Sequence, residues 1–406
     1  MSSNTRTASV IGGGIAGPVA AMALRQAGIE ATVYEAFDGT ADGVGGGMSI
    51  APNGLNAFDV IGLGDAVRGV GRTMTAIVLQ SWTGKQLAEF GTPTGIEPMQ
   101  FVLRGELYRA LYDEAAARGV RIVHGRRLVG AADGADGVTA HFADGTEATT
   151  DLLVGADGIR STVRRLVDPS APEPNYAGLV SVGASIKDAG LPDTGGRMHM
   201  AFGKRAFFGY QVFEDGFGGW FANLPRTQAT SMAEAQGLGA EEWLRILREA
   251  FADDRTPALD LLARTAPEDV VITGPMENMP KVPVWSRGRM VLVGDSAHAA
   301  SSSSGQGASL AVESAVQLAR CLRDLPREEA LTAYEQLRRP RVERIIAAAA
   351  RTNGNKAAGP VGRVVRDLAM PLAMKLVKPE KMAWQYDYRI DWDAPVAGSL
   401  LAGAVG

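Results

Sequence analysis

Residues 8–35, ASVIGGGIAGPVAAMALRQAGIEATVYE, carry the reading on which the rest of the chain depends. The apolar run 8–11 predicts a short buried strand, residues 15–27 a helix, and residues 31–35 a second strand that ends in Glu35. Between the first two lies GGGIAG (12–17), so the G-x-G-x-x-G spacing falls in the strand–turn–helix–strand context that dinucleotide binding requires. Each residue has a physical task there. Gly12 permits the tight turn, Gly14 lets a diphosphate approach the backbone, and Gly17 lets the helix lie close to the sheet. The helix N-terminus adds amide donors and a favourable dipole. Glu35 can accept hydrogen bonds from both adenosine ribose hydroxyls, which suits FAD and NAD alike.

Working outward, GVGGGMSIAPNGLNAFDVIGLG (43–64) suits a chain passing close to a flat ligand, and suits a surface loop equally. Arg104 opens a helical stretch in which Leu107, Leu111 and Ala115 share a face. A cation at a helix start opposes the dipole, so it points to an anionic partner or to plain solvation. RIVHG (121–125) predicts a strand, and residues 138–158 a hairpin around Asp144-Gly145 followed by another strand. That strand ends in Asp157 and Gly158, with Arg160, Ser161 and Arg164 just beyond. Strand ends of this kind hold ligands in open α/β sheets, although an ordinary Asp-Gly turn uses the same residues.

From 176 to 280 the pattern changes to short alternating, glycine- and aromatic-rich segments, with a helical insertion at about 231–253. An antiparallel sheet is expected. Met198, Met200 and Phe202 share one face, as do Phe208 and Tyr210, forming a sheet core or a wall for an apolar substrate. The α/β pattern then resumes. A strand at 289–293 ends in Gly294-Asp295-Ser296-Ala297-His298, and AASSSSGQG (299–307) leads through Gly305 and Gly307 into a helix at 308–325. Helical sequence at 328–350 is interrupted by Pro340, and an apolar helix is expected at 362–378, over a site entrance or in a dimer contact.

Bulk properties narrow the function classes. A chain of 406 residues is long enough for two or three packed domains. Its formal charge of −4, without a Lys/Arg-rich block, argues against nucleic acid. Cys321 is the only cysteine, and His124, His141, His199 and His298 are scattered, so no metal site is expected. A polar start with no signal peptide and no long apolar run predicts a cytoplasmic protein without a membrane span.

Taken in order, GGGIAG (12–17), GADGIRSTVR (155–164) and GDSAH…GQG (294–307) resemble the signature of the flavin-dependent monooxygenases related to para-hydroxybenzoate hydroxylase, over residues 8–345. The resemblance implies an α/β fold: a Rossmann-like three-layer FAD-binding domain interleaved with an antiparallel-sheet substrate domain, and C-terminal helices. The implied boundaries are 1–175 and 281–350 for the FAD-binding parts, 176–280 for the substrate sheet, and 351–406 for the C-terminal segment. FAD is the implied cofactor and NAD(P)H the cosubstrate. Glu35 would bind the adenosine ribose, and Arg104 would lie near the ribityl–diphosphate region. Asp157 and Gly158 would serve FAD and NAD(P)H, with Arg160 and Arg164 nearby. Asp295 would hold the ribityl chain or diphosphate, and the backbone from Gly305 to Gly307 would approach the isoalloxazine ring.

The implied reaction is oxygen-dependent hydroxylation of an aromatic or polyketide-like small molecule through a flavin C4a-hydroperoxide. Epoxidation and Baeyer–Villiger insertion share every motif, and a flavin oxidase or reductase or a non-catalytic flavin protein are further alternatives. A pure NAD-dependent dehydrogenase would leave the Asp295 motif without a task. The family usually carries proline where this chain has Ser302. His298 belongs to the motif without an assigned proton transfer, and the sequence names no catalytic side chain. Oligomeric state is open.

Overall fold

The computed structural model describes residues 5–39, 46–301, 304–353, 360–375 and 380–403. Strand Thr7–Ile11 is almost wholly buried, and it lies inside a six-stranded sheet. The order is Ser286–Arg287, Met290–Leu292, Leu152–Gly155, Thr7–Ile11, Glu30–Tyr34 and Arg121–Val123. All neighbours after the first are parallel. Leu152, Leu153, Val154, Val291 and Leu292 are inaccessible, as expected of strands covered on both faces. Helices Ala16–Gln26 and Gly307–Asp324 pack on each other, while the antiparallel strands Leu128–Asp133, Val138–Phe142 and Glu147–Thr150 form a third layer within the same core.

The second sheet has seven strands, ordered Val270–Asn278, Asn175–Ile186, Gly218–Pro225, Phe207–Val212, Arg197–Phe202, Ala76–Ser81 and Gln86–Gly91. It is mixed rather than purely antiparallel, because Arg197–Phe202 runs parallel to Ala76–Ser81. Hairpin turns advertise antiparallel neighbours locally, whereas a parallel partner far upstream leaves no such mark. Phe208, Tyr210, Val212 and Trp220 face helices Ala240–Phe251 and Ala258–Arg264 and form a core with Trp243, Leu247 and Phe251. The expected helical insertion is therefore longer than 231–253. On the opposite face, Met198, Met200 and Phe221 meet Phe101 from strand Met99–Leu103.

Helix Arg327–Asn353 runs through Pro340 instead of stopping there. The missing amide is tolerated because neighbouring side chains anchor the helix by tertiary contacts: Arg339 donates to the carbonyls of Val282 and Pro283, at 2.8 and 3.0 Å. Helix Pro360–Lys375 lays Arg366 over the Phe202 ring at 4.3 Å and leaves Val364, Val365 and Leu368 exposed.

At the end of helix Ala240–Phe251, the Oδ1 of Asp254 accepts a hydrogen bond from the Lys204 amide at 3.1 Å, while its Oδ2 is buried with no partner among the described residues. Burial raises its pKa from 3.8 to about 6. A raised carboxyl favours the protonated folded state, so its contribution is complete below 3.8 and is lost as pH rises through about 6. Asp254→Asn should therefore raise the thermal midpoint at pH 7 by an amount worth on the order of 1–2 kcal/mol, after discounting for solvent screening. The two proteins should converge in acid. Melting curves that stay parallel across pH would show that desolvation of this carboxyl is not the cause.

Candidate functional site

Because five strands run parallel, their C-terminal ends share one edge of the sheet. Along that edge stand Asp295 beyond Met290–Leu292, Asp157 and Gly158 beyond Leu152–Gly155, the 12–17 turn beyond Thr7–Ile11, and Glu35 beyond Glu30–Tyr34. Three motifs distant in sequence thus become consecutive in space.

Their glycines do different things. Gly12 has φ +105°, and a Cβ there would stand 2.4 Å from the Ala156 carbonyl oxygen. At Gly17 a Cβ would stand 1.8 Å from the Gly12 oxygen, so only glycine lets the helix approach. Gly14 is the reverse: the nearest atom to its Cβ position is the Tyr108 hydroxyl at 3.9 Å, leaving an open flank. Helix Ala16–Gln26 has no side-chain cap, and neither has Gly307–Asp324, so both N-termini offer amides to a ligand. Gly305 has φ +60°, and nothing stands within 4 Å of the Cβ position of Gly307.

Glu35 accepts hydrogen bonds from the Gly13 amide at 2.5 Å and the Phe37 amide at 2.9 Å. It braces the first turn and keeps lone pairs for further donors. Tyr112 completes the brace by donating to the Gly13 carbonyl at 2.8 Å. Burial, followed by the Glu35 charge, pushes the Tyr112 phenol well above its ordinary pKa. Sequence reasoning passed over Tyr112; its place four residues after Tyr108 on the helix opened by Arg104 was the available signal.

Asp157 is committed locally. It accepts from the Ser161 hydroxyl at 2.5 Å and from the Thr162 and Val163 amides at 2.7 and 3.1 Å, capping helix Thr162–Val167. Desolvation raises its pKa despite these donors. The neighbouring arginines diverge. Arg164 is buried and donates to the Ile159 and Ser296 carbonyls at 2.7 and 3.2 Å, tying the second motif to the third. Arg160 is exposed and pairs with Glu277 at 2.6 Å.

Asp295 and Arg104 are both open to solvent. Even so, the surrounding protein desolvates the Asp295 carboxyl and raises its pKa, with the Arg104 charge acting the other way. A side chain that is accessible yet desolvated sits deep in a cleft. Arg104 Nε donates to the Tyr108 hydroxyl at 2.7 Å, which directs the guanidinium. His298 is buried, with Nε2 2.9 Å from the Ser314 hydroxyl. Burial and then the Arg338 charge push its pKa down to about 3, so it stays neutral and supplies no titrating group near neutrality. Ser302 lies outside the described residues.

A separate cavity of about 250 Å³ opens where the seven-stranded sheet meets the loop after His298, lined by Leu179, Pro225, Arg226, Met276 and Ser301 among others. The site therefore combines a sheet edge, with two uncapped helix ends and one arginine suited to a diphosphate, and a mostly apolar chamber. Among the described residues no helix is long and apolar enough to cross a membrane.

Comparison with known proteins identifies the family. A family model described as an FAD binding domain matches residues 4–349. Aurachin C monooxygenase/isomerase of Stigmatella aurantiaca is 31% identical over 84% of this chain and 87% of its own length. The FAD-dependent urate hydroxylase of Klebsiella pneumoniae is 32% identical over 84% and 87%. Among solved structures, HpxO of Klebsiella pneumoniae in complex with FAD and uric acid superposes with a TM-score of 0.81, at 26% identity, covering 99% of this chain and 98% of the other.

Proposed function

The chain belongs to the FAD-binding family of flavin-dependent monooxygenases, and from that premise we propose how its own residues divide the work. It is an NAD(P)H- and oxygen-dependent enzyme that hydroxylates an aromatic or polyketide-type molecule. When bound, FAD accepts hydride from NAD(P)H and activates oxygen for transfer to the substrate.

The observation that carries the assignment is the single sheet edge on which all the motifs converge. The amides from Gly12 to Gly17 and the helix they open receive the diphosphate, with Gly14 leaving the space for it and Arg104 adding positive charge. Glu35 takes the adenosine ribose. Asp295 accepts hydroxyl donors from the ribityl chain, a neutral partner that suits a desolvated carboxyl. The turn from Gly305 to Gly307 presents amides to the pyrimidine end of the flavin, where they favour negative charge. Asp157 and Gly158 shape the neighbouring turn, Asp157 through its helix cap. No side chain is assigned as an acid or base, and substrate orientation falls to the chamber beside Ser301. Its size and mostly apolar lining favour a compact aromatic ring with a few polar substituents, the type named in the urate and 6-hydroxynicotinate hydroxylases among the relatives. Dependence on NAD(P)H favours a cytoplasmic location.

The test is to follow flavin absorbance anaerobically after adding NADH or NADPH, with and without a panel of hydroxylated aromatic and heteroaromatic acids. Faster bleaching with one compound, and ¹⁸O from molecular oxygen in its product, support this reading. Bound flavin that never bleaches would overturn it.

A further inference from the structure

Beneath the 305–307 turn lies a group of charged side chains without a task so far. Glu313 and Arg338 are both wholly inaccessible, and Arg338 Nη1 reaches Glu313 Oε2 at 2.6 Å. Arg341 donates to the same carboxylate at 3.0 Å through both Nε and Nη2. The third partner is Asn53 on helix Pro52–Val60, whose Nδ2 reaches Glu313 Oε1 at 2.6 Å and also donates to Gln306 Oε1 at 3.0 Å. Gln306 is the middle residue of the turn. Arg341 continues in the other direction, donating to the carbonyls of Trp384 and Gln385 at 2.9 Å each. Its guanidinium stands 4.2 Å from the Tyr388 ring centroid, and Asn56 donates to the Tyr388 carbonyl at 3.2 Å. Between these anchors, Tyr386 brings its hydroxyl beside the Gln306 side chain.

One carboxylate therefore joins two parts that the sequence keeps far apart. An ordinary core position has no need of it: Leu310, Val312, Ala315 and Val316 on the same helix are buried and apolar. Taking three charges out of water is expensive, and such groups are best explained when they fix a geometry that apolar packing would leave loose.

We propose that Glu313 is a positioning residue that locks the 305–307 turn and the 384–388 segment into one arrangement around the flavin. Asn53 is the arm to the turn and Arg341 the arm to the C-terminal segment. The inference rests on the reading above, in which that turn faces the isoalloxazine ring. Amides held rigid there stabilise the negative charge of reduced flavin, and amides free to rotate do so less.

The test uses the full-length holoenzyme and two readouts besides turnover: the midpoint potential of bound FAD and hydrogen exchange of the 383–390 amides. Glu313→Gln should shift the potential to more negative values and slow reduction by NAD(P)H by up to about tenfold, the range of one lost hydrogen bond. Exchange in 383–390 should become faster. Asn53→Ala should reproduce the flavin shift with the segment still protected, and Arg341→Met should release the segment with the smaller flavin shift. If Glu313→Gln does not fold, these two single-arm variants decide the matter. Unchanged potential and exchange would overturn the proposal. So would a potential that rises, the mark of a simple charge effect, or identical losses in both arms, the mark of general destabilisation. Wild-type protein that takes up no FAD would sink the functional reading instead, while exchange in the Arg341 variant would still decide whether the segment is held in this way.

Discussion

Gly17→Val should give a protein of reduced stability that purifies without flavin absorbance. A Cβ at this position meets the Gly12 carbonyl oxygen at 1.8 Å, and a backbone atom in a tight turn cannot step aside as a flexible side chain would. Helix Ala16–Gln26 must retreat from strand Thr7–Ile11, and its N-terminal amides then leave the position from which they meet a diphosphate. Overpacking of this kind costs roughly 1–3 kcal/mol, and the upper end applies because Val19, Ala20 and Ala23 on that helix have no exposed surface to give up. Gly14→Val provides the contrast. Its Cβ meets nothing nearer than 3.9 Å, so the fold should hold while FAD affinity falls by about ten- to a hundredfold. Thermal midpoint and flavin occupancy, measured on both, separate the helix-packing glycine from the ligand-facing one. If Gly14→Val binds FAD as tightly as wild type, the open flank is not where the cofactor lies.

The second large effect concerns Arg164. Its guanidinium satisfies two carbonyls inside the protein, one from its own turn and one from Ser296 in the third motif. In Arg164→Leu both acceptors lose a charged donor, the Ser296 carbonyl in a buried place and the Ile159 carbonyl in a partly buried one. Hydrogen bonds to charged groups contribute roughly 1.5–3 kcal/mol each, so a loss of about 3 kcal/mol in unfolding free energy is expected. FAD affinity should fall as well, because the segment that carries Asp295 and Ser296 loses its tie to helix Thr162–Val167. Denaturant unfolding of the FAD-free protein isolates the first effect, and flavin titration the second. Retained stability with weakened NAD(P)H binding would instead mean that Arg164 meets the nucleotide directly.

These two residues also show what could be read in the sequence. Gly12, Gly14 and Gly17 were legible because their task is local: strand, turn and helix follow one another within twenty residues or so, and the spacing carries the geometry. Arg164 was legible only as an arginine near a motif. The sequence contains nothing to show that it points inward at Ser296, since that depends on how two distant strands pair. Asp157 was legible as an acid at a strand end, but its acceptance of the Thr162 and Val163 amides at the start of the next helix was not, although Ser161 three places before Arg164 hinted at a cap there. Glu313, Arg338 and Arg341 were invisible for a different reason. On a helix pattern, charges are assigned to the solvated face, and their meeting inside the protein comes from the packing of two helices and the C-terminal segment. Pro340 misled for the same reason, since tertiary anchors outweighed local propensity.

The pairing of Leu152–Gly155 with Met290–Leu292 has a consequence for how the protein is made. When residue 155 leaves the ribosome, the first sheet still has a bare edge, and the strand that will cover it lies more than a hundred residues downstream. At ordinary translation speeds the interval is on the order of ten seconds. For that time an apolar strand offers unpaired amides and carbonyls to any neighbouring nascent chain. Slowing synthesis between the two strands should lower the soluble yield, whereas slowing it after residue 292 should not.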